Sequence, residues 1–463
     1  MDHSNAGRPR ARRKTQGRGG SLEAATEEEG RKAIRYSEFY GGKVATVPKV
    51  PISSLSDFGI WYTPGVAAVS RAIAKSPDLS FEYTNRSNTI AILTDGTRVL
   101  GLGDVGAEAA MPVMEGKALI YKYLGGVDAI PIPIRVSTEE EFVQTAEALE
   151  PAFGGINLED ISSPKCFDIL DRLRRRMHIP VWHDDQQGTA GVVLAGLINA
   201  LELTGRTLEE SEIVFLGTGA ANVATSRLLV EAGARPERMV LLDSRGALWA
   251  GREDAGELRR TNRWKYELAT KTNGRDVRGG LKEALRGADV LIAASKPGPR
   301  MIRKADVRAM NRRAVVFLLA NPTPEMWPDE ARAAGAEVVA TGRSDFPNQV
   351  NNSLLFPSLF RGVLDVRARK ISDGMTIAAA RELASFAREK GLRRDSIMPT
   401  MVDWDVFPRV AAAVGEEAQR EGLARRTIGR EEILHRAKTV VEESRQVAQV
   451  LVENGLILSP PRE

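Results

Sequence analysis

Two pairs of neighbouring carboxylates are the residues of this 463-residue chain best placed to do chemistry: Asp184 and Asp185 in IPVWHDDQQGTAGVV, and Glu159 and Asp160 in FGGINLEDISSP. Adjacent anions repel unless a cation or a proton lies between them. Each pair follows a short apolar run that reads as a strand, and the run before Asp184 and Asp185 leads into a helix opened by Gly188. Four carboxylates at element ends suggest an oxygen-lined divalent metal site. The alternative is two sets of helix N-terminal acids favoured by the macrodipole. His183 adjoins Asp184 and could ligate a metal, but strand alternation points it away from its neighbour. His3, His178 and His435 are too scattered for a histidine-rich site. Cys166, the single cysteine, excludes an internal disulfide and has the helical spacing of a packed thiol in SPKCFDIL.

A dinucleotide fingerprint needs a strand, GxGxxG, a helix and a second strand ending in an acid. Gly101, Gly103 and Gly106 in VLGLGDVGAEAAMP satisfy the spacing, yet Pro112 falls within the would-be helix and Asp128 precedes its strand. That loop reads as part of a substrate pocket. IVFLGTGAANVATSRLLVEAG is the better match: Gly217 permits the tight turn, Gly219 lets the backbone approach a pyrophosphate, and Ala220 and Ala221 open the helix whose amides would hold it. Asn222 replaces the third glycine, which predicts looser helix-to-strand packing. MVLLD ends in Asp243, which suits the ribose hydroxyls of NAD, whereas Ser244 and Arg245 could hold the 2′-phosphate of NADP. Metal plus dinucleotide points to metal-assisted oxidation of a hydroxy acid, with loss of a β-carboxylate as a further step. Lys117 in MPVMEGKA and Tyr62 in DFGIWYTPG are candidates for the base and acid. For Lys117 taken alone, a solvated surface lysine is the default.

The elements that must hold these residues are α/β in pattern. Strands TIAILT, AIPIPI and IPVWH mix with helices such as EEEFVQTAEAL up to about residue 200. Beyond about 211, EIVFLG, MVLLD, GADVLIAAS, AVVFLLANP and AEVVATG read as buried parallel strands between helices, hence an open, doubly wound sheet. The chain then turns helical and rich in Arg, Glu and Ala. Residues 1–20 hold six basic residues against one acid and so carry +5 of a formal net charge of +4, leaving −1 for the remainder. The nearly neutral body and a basic segment without aromatic residues argue against nucleic-acid binding. No run of 18 apolar residues suggests a membrane span, and a soluble, cytoplasmic protein is expected.

DFGIWYTPGVAAV, TDGTRVLGLGDVG, MPVMEGKA, FGGINLEDI, HDDQQGTA, LANPTPE, TGRSDFPNQVNN and RGVLDVRA resemble, in order, the blocks of the malic enzymes, in their short bacterial-type form. The resemblance covers about residues 55–385. It implies oxidative decarboxylation of L-malate to pyruvate and CO2 with NAD, or NADP, and Mg2+ or Mn2+. Carried over by position, Tyr62 is the acid that protonates the enol carbon, Lys117 the base at the C2 hydroxyl, and Asp184 the acid paired with that lysine. Glu159, Asp160 and Asp185 are the metal ligands, Arg98 clamps a carboxylate, and Asn321, Asn351 and Asn352 hold malate and the nicotinamide region. Gln187 stands where many bacterial members have histidine, and Trp182 and His183 are expected only to shape their strand. The implied organisation is an unstructured basic extension over 1–34, a substrate and metal domain over 35–204, a Rossmann-like domain over 205–385 and a helical segment over 386–463 packing back on the body. A homodimer or higher homo-oligomer is expected. The rival readings are an oxaloacetate decarboxylase or malolactic-type lyase using the same site without net cofactor turnover, and a non-catalytic dinucleotide-binding protein.

Overall fold

The structure, a computed structural model, describes residues 18–298 and 301–461. Two sheets carry the architecture. In the first, β1 (Thr89–Thr94), β2 (Asp128–Pro133), β3 (Gly155–Leu158) and β4 (Val181–His183) run parallel in the order β2-β1-β3-β4. In the second, β5 (Ile213–Leu216), β6 (Met239–Asp243), β7 (Gly246–Ala247), β8 (Val290–Ala293), β9 (Ala314–Leu318) and β10 (Ala336–Thr341) stand in the order β10-β9-β8-β5-β6-β7. Only the two-residue edge strand β7 runs antiparallel. Every residue of β1, β3, β8 and β9 is buried, because helices cover both faces. That is why these strands read as unbroken apolar runs instead of alternating ones. The Thr189–Thr204 helix, apolar on all sides and almost wholly buried, joins the last strand of one sheet to the first of the other.

Two expectations change at this level. The extension is not unstructured throughout: residues 18–40 form a helix, as a stretch rich in Ala, Glu, Lys and Arg favours, while residues 1–17 lie outside the described residues. Pro112 does not break its helix, which spans Gly106–Gly125; seven residues in, it removes one donor and leaves the rest of the ladder. The helices that follow the second sheet begin at Phe356. Helices Phe356–Asp365 and Val406–Arg420 pack on each other, the first also on Gly106–Gly125, and Asp373–Glu389 packs on Thr189–Thr204. Their apolar stripes need the first sheet's helices as partners, so sequence order does not mark where they belong. Among the described residues, those from 18 to Ala45 and from Val450 to 461 cluster as a small unit of their own, in which the Tyr40 hydroxyl donates to the Leu458 carbonyl at 2.8 Å. Among the described residues no helix is long and apolar enough to cross a membrane.

Candidate active site

Both acidic pairs sit at the C-terminal ends of adjacent parallel strands, β3 and β4. From Asp184 to Gly188 the backbone makes a single wide π-helical turn before Thr189 continues as α-helix. Such a turn widens the spacing along the chain and swings side chains off the strand direction, which is how one acid of the pair goes inward and the other to the cleft. Gly188 is required there, since a Cβ would overlap the Asp184 carboxylate. Asp160 has the left-handed backbone angle φ +54°. This strained conformation for a residue with a side chain is held from both ends: the Asp160 amide donates to Asp185 Oδ2 at 2.9 Å, and its carbonyl accepts from the Arg98 amide at 2.9 Å.

The outcome is convergence. Glu159, Asp160 and Asp185 each present an oxygen within 4.8 Å of the others. Lys117, buried on the Gly106–Gly125 helix, ion-pairs with Glu159 Oε1 at 2.7 Å and with Asp184 Oδ2, and its ammonium lies 4.3 Å from the Phe356 ring centroid. Asp184 is fully buried and takes a second hydrogen bond from Trp182 Nε1 at 3.1 Å, so Trp182 orients it in addition to shaping β4. Asn157 Nδ2 donates to Glu159 Oε2 at 2.9 Å, and the Tyr121 hydroxyl donates to Asn157 Oδ1 at 3.0 Å.

The charges do not balance inside this cluster. Burial pushes Asp160 up to about 7, with Asp185 adding repulsion and Lys117 opposing it. Burial likewise holds Glu159 well above the ordinary carboxylate range, against the pull of Lys117. Burial would lower Lys117, but Asp184, Glu159 and Asp185 outweigh it and hold the ammonium above its usual value. Asp160 Oδ2 is buried with no hydrogen-bond partner. An excess of buried carboxylate, an orphaned oxygen and an all-oxygen donor set fit a hard divalent cation such as Mg2+ or Mn2+. His183 is not one of this group. Its ring is buried with both nitrogens unpartnered, Nδ1 3.8 Å from Asp185 Oδ2, and burial drives it down to about 4, so it is a neutral packed ring.

The cluster opens into a cavity of about 600 Å³, a volume suited to a small acid plus part of a dinucleotide. Arg98, Lys117, Glu159, Asp160 and Asp185 line one end. Gly219, Ala220, Ala221 and Asn321 line the other, and Asn351 and Asn352 lie along it. This second end is where β5 and β8 part, because the chain leaves β5 toward β6 and returns across to β8, the switch point at which open α/β sheets bind ligands. Gly217, φ +99°, packs so tightly that a Cβ would strike the Ala294 carbonyl. The other glycine loop also reaches this cavity, through Leu100 and Gly101.

Several expected residues stand elsewhere. Asn222 does not loosen the glycine loop: it is fully buried behind it, and its Nδ2 donates to the Leu216 and Gly217 carbonyls at 2.9 and 3.0 Å, clipping helix to strand. Asp243, Ser244 and Arg245 do not line the cavity. Both Asp243 oxygens are taken by Arg252 at 2.9 Å, which outweighs burial and holds its carboxyl below the usual range, while Arg245 pairs with Asp254 at 3.2 Å. Tyr62 is also absent from the cavity wall and is 71% exposed. Sequence reasoning missed Glu325 of LANPTPE, fully buried, whose carboxylate accepts from the Ser295 amide at 2.8 Å and the Ala320 amide at 3.2 Å. It ties together the two loops that wall the cofactor end, and the only sequence signal was an acid after a proline-broken strand end.

Comparison with known proteins gives one family. Residues 41–141 and 137–174 match the model of the malic enzyme N-terminal domain, and residues 186–419 that of the malic enzyme NAD binding domain. The chain is 45% identical over 410 residues to an NAD-dependent malic enzyme of Geobacillus stearothermophilus, covering 88% of this chain and 84% of that one. It is 44% identical over 413 residues to a bifunctional malic/malolactic enzyme of Bacillus subtilis, covering 89% and 98%. Among solved structures, malic enzyme from Entamoeba histolytica superposes with a TM-score of 0.93 at 43% identity, covering 97% and 93%.

Proposed function

The chain belongs to the malic enzyme family, and from that premise we propose that its acidic cleft oxidises and decarboxylates L-malate to pyruvate and CO2, with NAD or NADP as hydride acceptor. The observation that carries this reading is the placing of Lys117 and the Glu159, Asp160 and Asp185 oxygens in one cavity with the Gly219 helix start. Glu159, Asp160 and Asp185 would hold the divalent ion, which when bound polarises the C2 oxygen and offsets negative charge as the β-carboxylate departs. A cation held by Glu159, Asp160 and Asp185 would offset the carboxylate charge that keeps Lys117 protonated, leaving the amine free to take the C2 hydroxyl proton while hydride leaves C2 for the nicotinamide. Asp184, hydrogen-bonded to Trp182, keeps the lysine aimed. Arg98 makes no ion pair among the described residues and stands at the cavity wall, where it meets a malate carboxylate. Asn321, Asn351 and Asn352 supply amides to malate and the nicotinamide side. The family resemblance assigns to Tyr62 the proton that completes pyruvate after CO2 leaves, although in the single chain this residue stands off the cavity wall.

In this division of labour, residues 35–204 hold substrate and metal, and 205–385 hold the cofactor through Gly217, Gly219, Ala220 and Ala221, with the helices from Phe356 bracing both. Asn222 acts by shaping that loop, while Asp243 is paired with Arg252 and Arg245 with Asp254. A homo-oligomer is supported by the apolar side chains that a single chain leaves uncovered at Phe58, Ile60, Trp61, Val66 and Val69. A cytoplasmic setting suits a chain whose sole cysteine is a buried free thiol.

The test is initial rates with malate, Mn2+ and either NAD or NADP, read as absorbance of reduced cofactor together with released CO2. A malate-dependent rise of both with one cofactor is expected. No rise with either cofactor, or CO2 without reduced cofactor, overturns the oxidative reading.

A further inference from the structure

We propose that a second, smaller cavity behind the catalytic turn binds a compact oxyanion of phosphate size, and that the bound ion braces that turn. The inference goes beyond the malic-enzyme reading, because no residue that lines this cavity lines the one assigned to malate, metal and cofactor.

The cavity has a volume of about 60 Å³. Arg174 reaches it from the Lys165–Arg176 helix, Gln186 and Gln187 from the Asp184–Gly188 turn, Arg227 from the Ala220–Glu231 helix, and Asp373 and Thr376 from the Asp373–Glu389 helix. A water needs roughly 10–15 Å³ of such space, so the cavity takes about four to six atoms of that size. A tetrahedral oxyanion matches it; a nucleotide does not.

The donors that line it lack partners. Gln187 is buried, and its Oε1 accepts from the His183 amide at 3.0 Å, which fixes the side-chain NH2 at the other end. That Nε2 is buried with no hydrogen-bond partner. Arg174 donates from Nη2 to the Ile371 carbonyl at 2.7 Å, but its Nε is buried and unpartnered. Burial pushes this guanidinium below its ordinary value, outweighing the pull of Asp373 and Asp171. Asp171 is itself held by Arg263 at 3.1 Å. Arg227 stands exposed at the rim, lining the cavity with no ion pair among the described residues. The positive end of the Asp373–Glu389 helix adds to the field. Water would accept from the orphaned amide and guanidinium but leave the arginine charge uncompensated; an oxyanion answers both needs.

One wall of this cavity is the back of the turn whose front carries Asp184 and Asp185. An ion that grips Gln187 favours the turn in the form that aims Asp185 at its fellow carboxylates. By reciprocity, a divalent cation at those carboxylates tightens the oxyanion.

Equilibrium dialysis of labelled inorganic phosphate against metal-free protein tests the site, with NADH and NADPH both saturating so that the glycine loop is filled. Saturable binding is expected. Arg227→Gln, a change at the exposed rim, should weaken it about 10-fold, whereas Asp373→Asn, which removes a repelling charge, should tighten it about 2-fold or more. General damage to the fold cannot produce shifts of opposite sign. Absence of saturable binding, or binding that neither substitution moves, overturns the proposal. Phenyl phosphate, too large for the cavity, should not compete; competition as strong as phosphate's would overturn the free ion and assign the cavity to the phosphoryl end of a larger molecule. For the bracing, sulfate replaces phosphate, since it has the same shape and leaves Mn2+ in solution. At constant ionic strength, sulfate should raise the Mn2+ affinity of the wild-type protein, read from the electron paramagnetic resonance of free Mn2+, and should not do so in Arg227→Gln. A Mn2+ affinity indifferent to sulfate would overturn the link to the turn. Neither readout requires malate turnover, so failure here is distinct from failure of the functional reading.

Discussion

At the scale of single residues, the cluster around Lys117 separates binding from chemistry. Asp185→Asn removes a charged oxygen from the three-carboxylate set but leaves the glycine loop untouched. Its apparent Mn2+ affinity should fall by at least about 10-fold, with NAD binding unchanged; a Mn2+ titration of malate turnover beside cofactor fluorescence reads both. Lys117→Ala removes the proton acceptor, and turnover should fall by about 10²–10⁴-fold, with cofactor binding retained. Trp182 shows what sequence could not reveal. Its position two residues before Asp184 was visible, yet only the π-helical turn brings the indole N–H back onto that carboxylate. The acidic pairs, by contrast, were legible because adjacent carboxylates after apolar strands have few other reasons to exist, and the block resemblance sorted Asp184 from Asp185 before any geometry did.

At the scale of elements, the glycine loop and the two loops opposite it act as one unit. Gly217→Ala would drive a methyl into the Ala294 carbonyl at a left-handed backbone angle, so cofactor affinity should collapse while malate-side metal binding persists, measured by titrating each ligand separately. Arg252→Ala leaves Asp243 without its bidentate partner and should destabilise the cofactor half by roughly 1–3 kcal/mol. Because the folded-state Asp243 carboxyl is held below its unfolded value, that stabilisation is present at neutral pH and is lost as pH falls through the acid range of the folded carboxyl. The wild-type advantage in thermal denaturation should therefore shrink from pH 7 toward pH 3. The strands of both sheets were readable from the chain because buried parallel strands are unbroken apolar runs. What sequence could not foresee were the pairing of Asp243 with Arg252 and the helix passing Pro112. An acid closing the second strand looks the same whether it meets a ribose or an arginine nine residues on, and a proline early in a helix costs less than its type suggests.

At the scale of the whole molecule, the proposed homo-oligomer is the expectation to test, because the Leu55–Trp61 and Val66–Lys75 helices bury no residue within one chain. Sequence could not reveal this, since it reports that a side chain is apolar and not which chain will cover it. Light scattering of the wild-type protein should show no stable active monomer, and activity per chain should decline on dilution below the dissociation constant of the pair. Constant specific activity down to a monomeric mass would contradict that expectation.

Cys166 gives the molecule an unplanned sensor. Its sulfur is sealed in the helix behind the π-helical turn, burial raises the thiol to about 12, and its carbonyl accepts from Gln186 Nε2 at 3.2 Å. A thiol-specific dye cannot reach it until that wall opens, and with one cysteine in the chain every labelling event reports the same place. The labelling rate, compared with and without Mn2+ and malate, would therefore time how often the wall behind the catalytic turn breathes and how far ligands hold it shut.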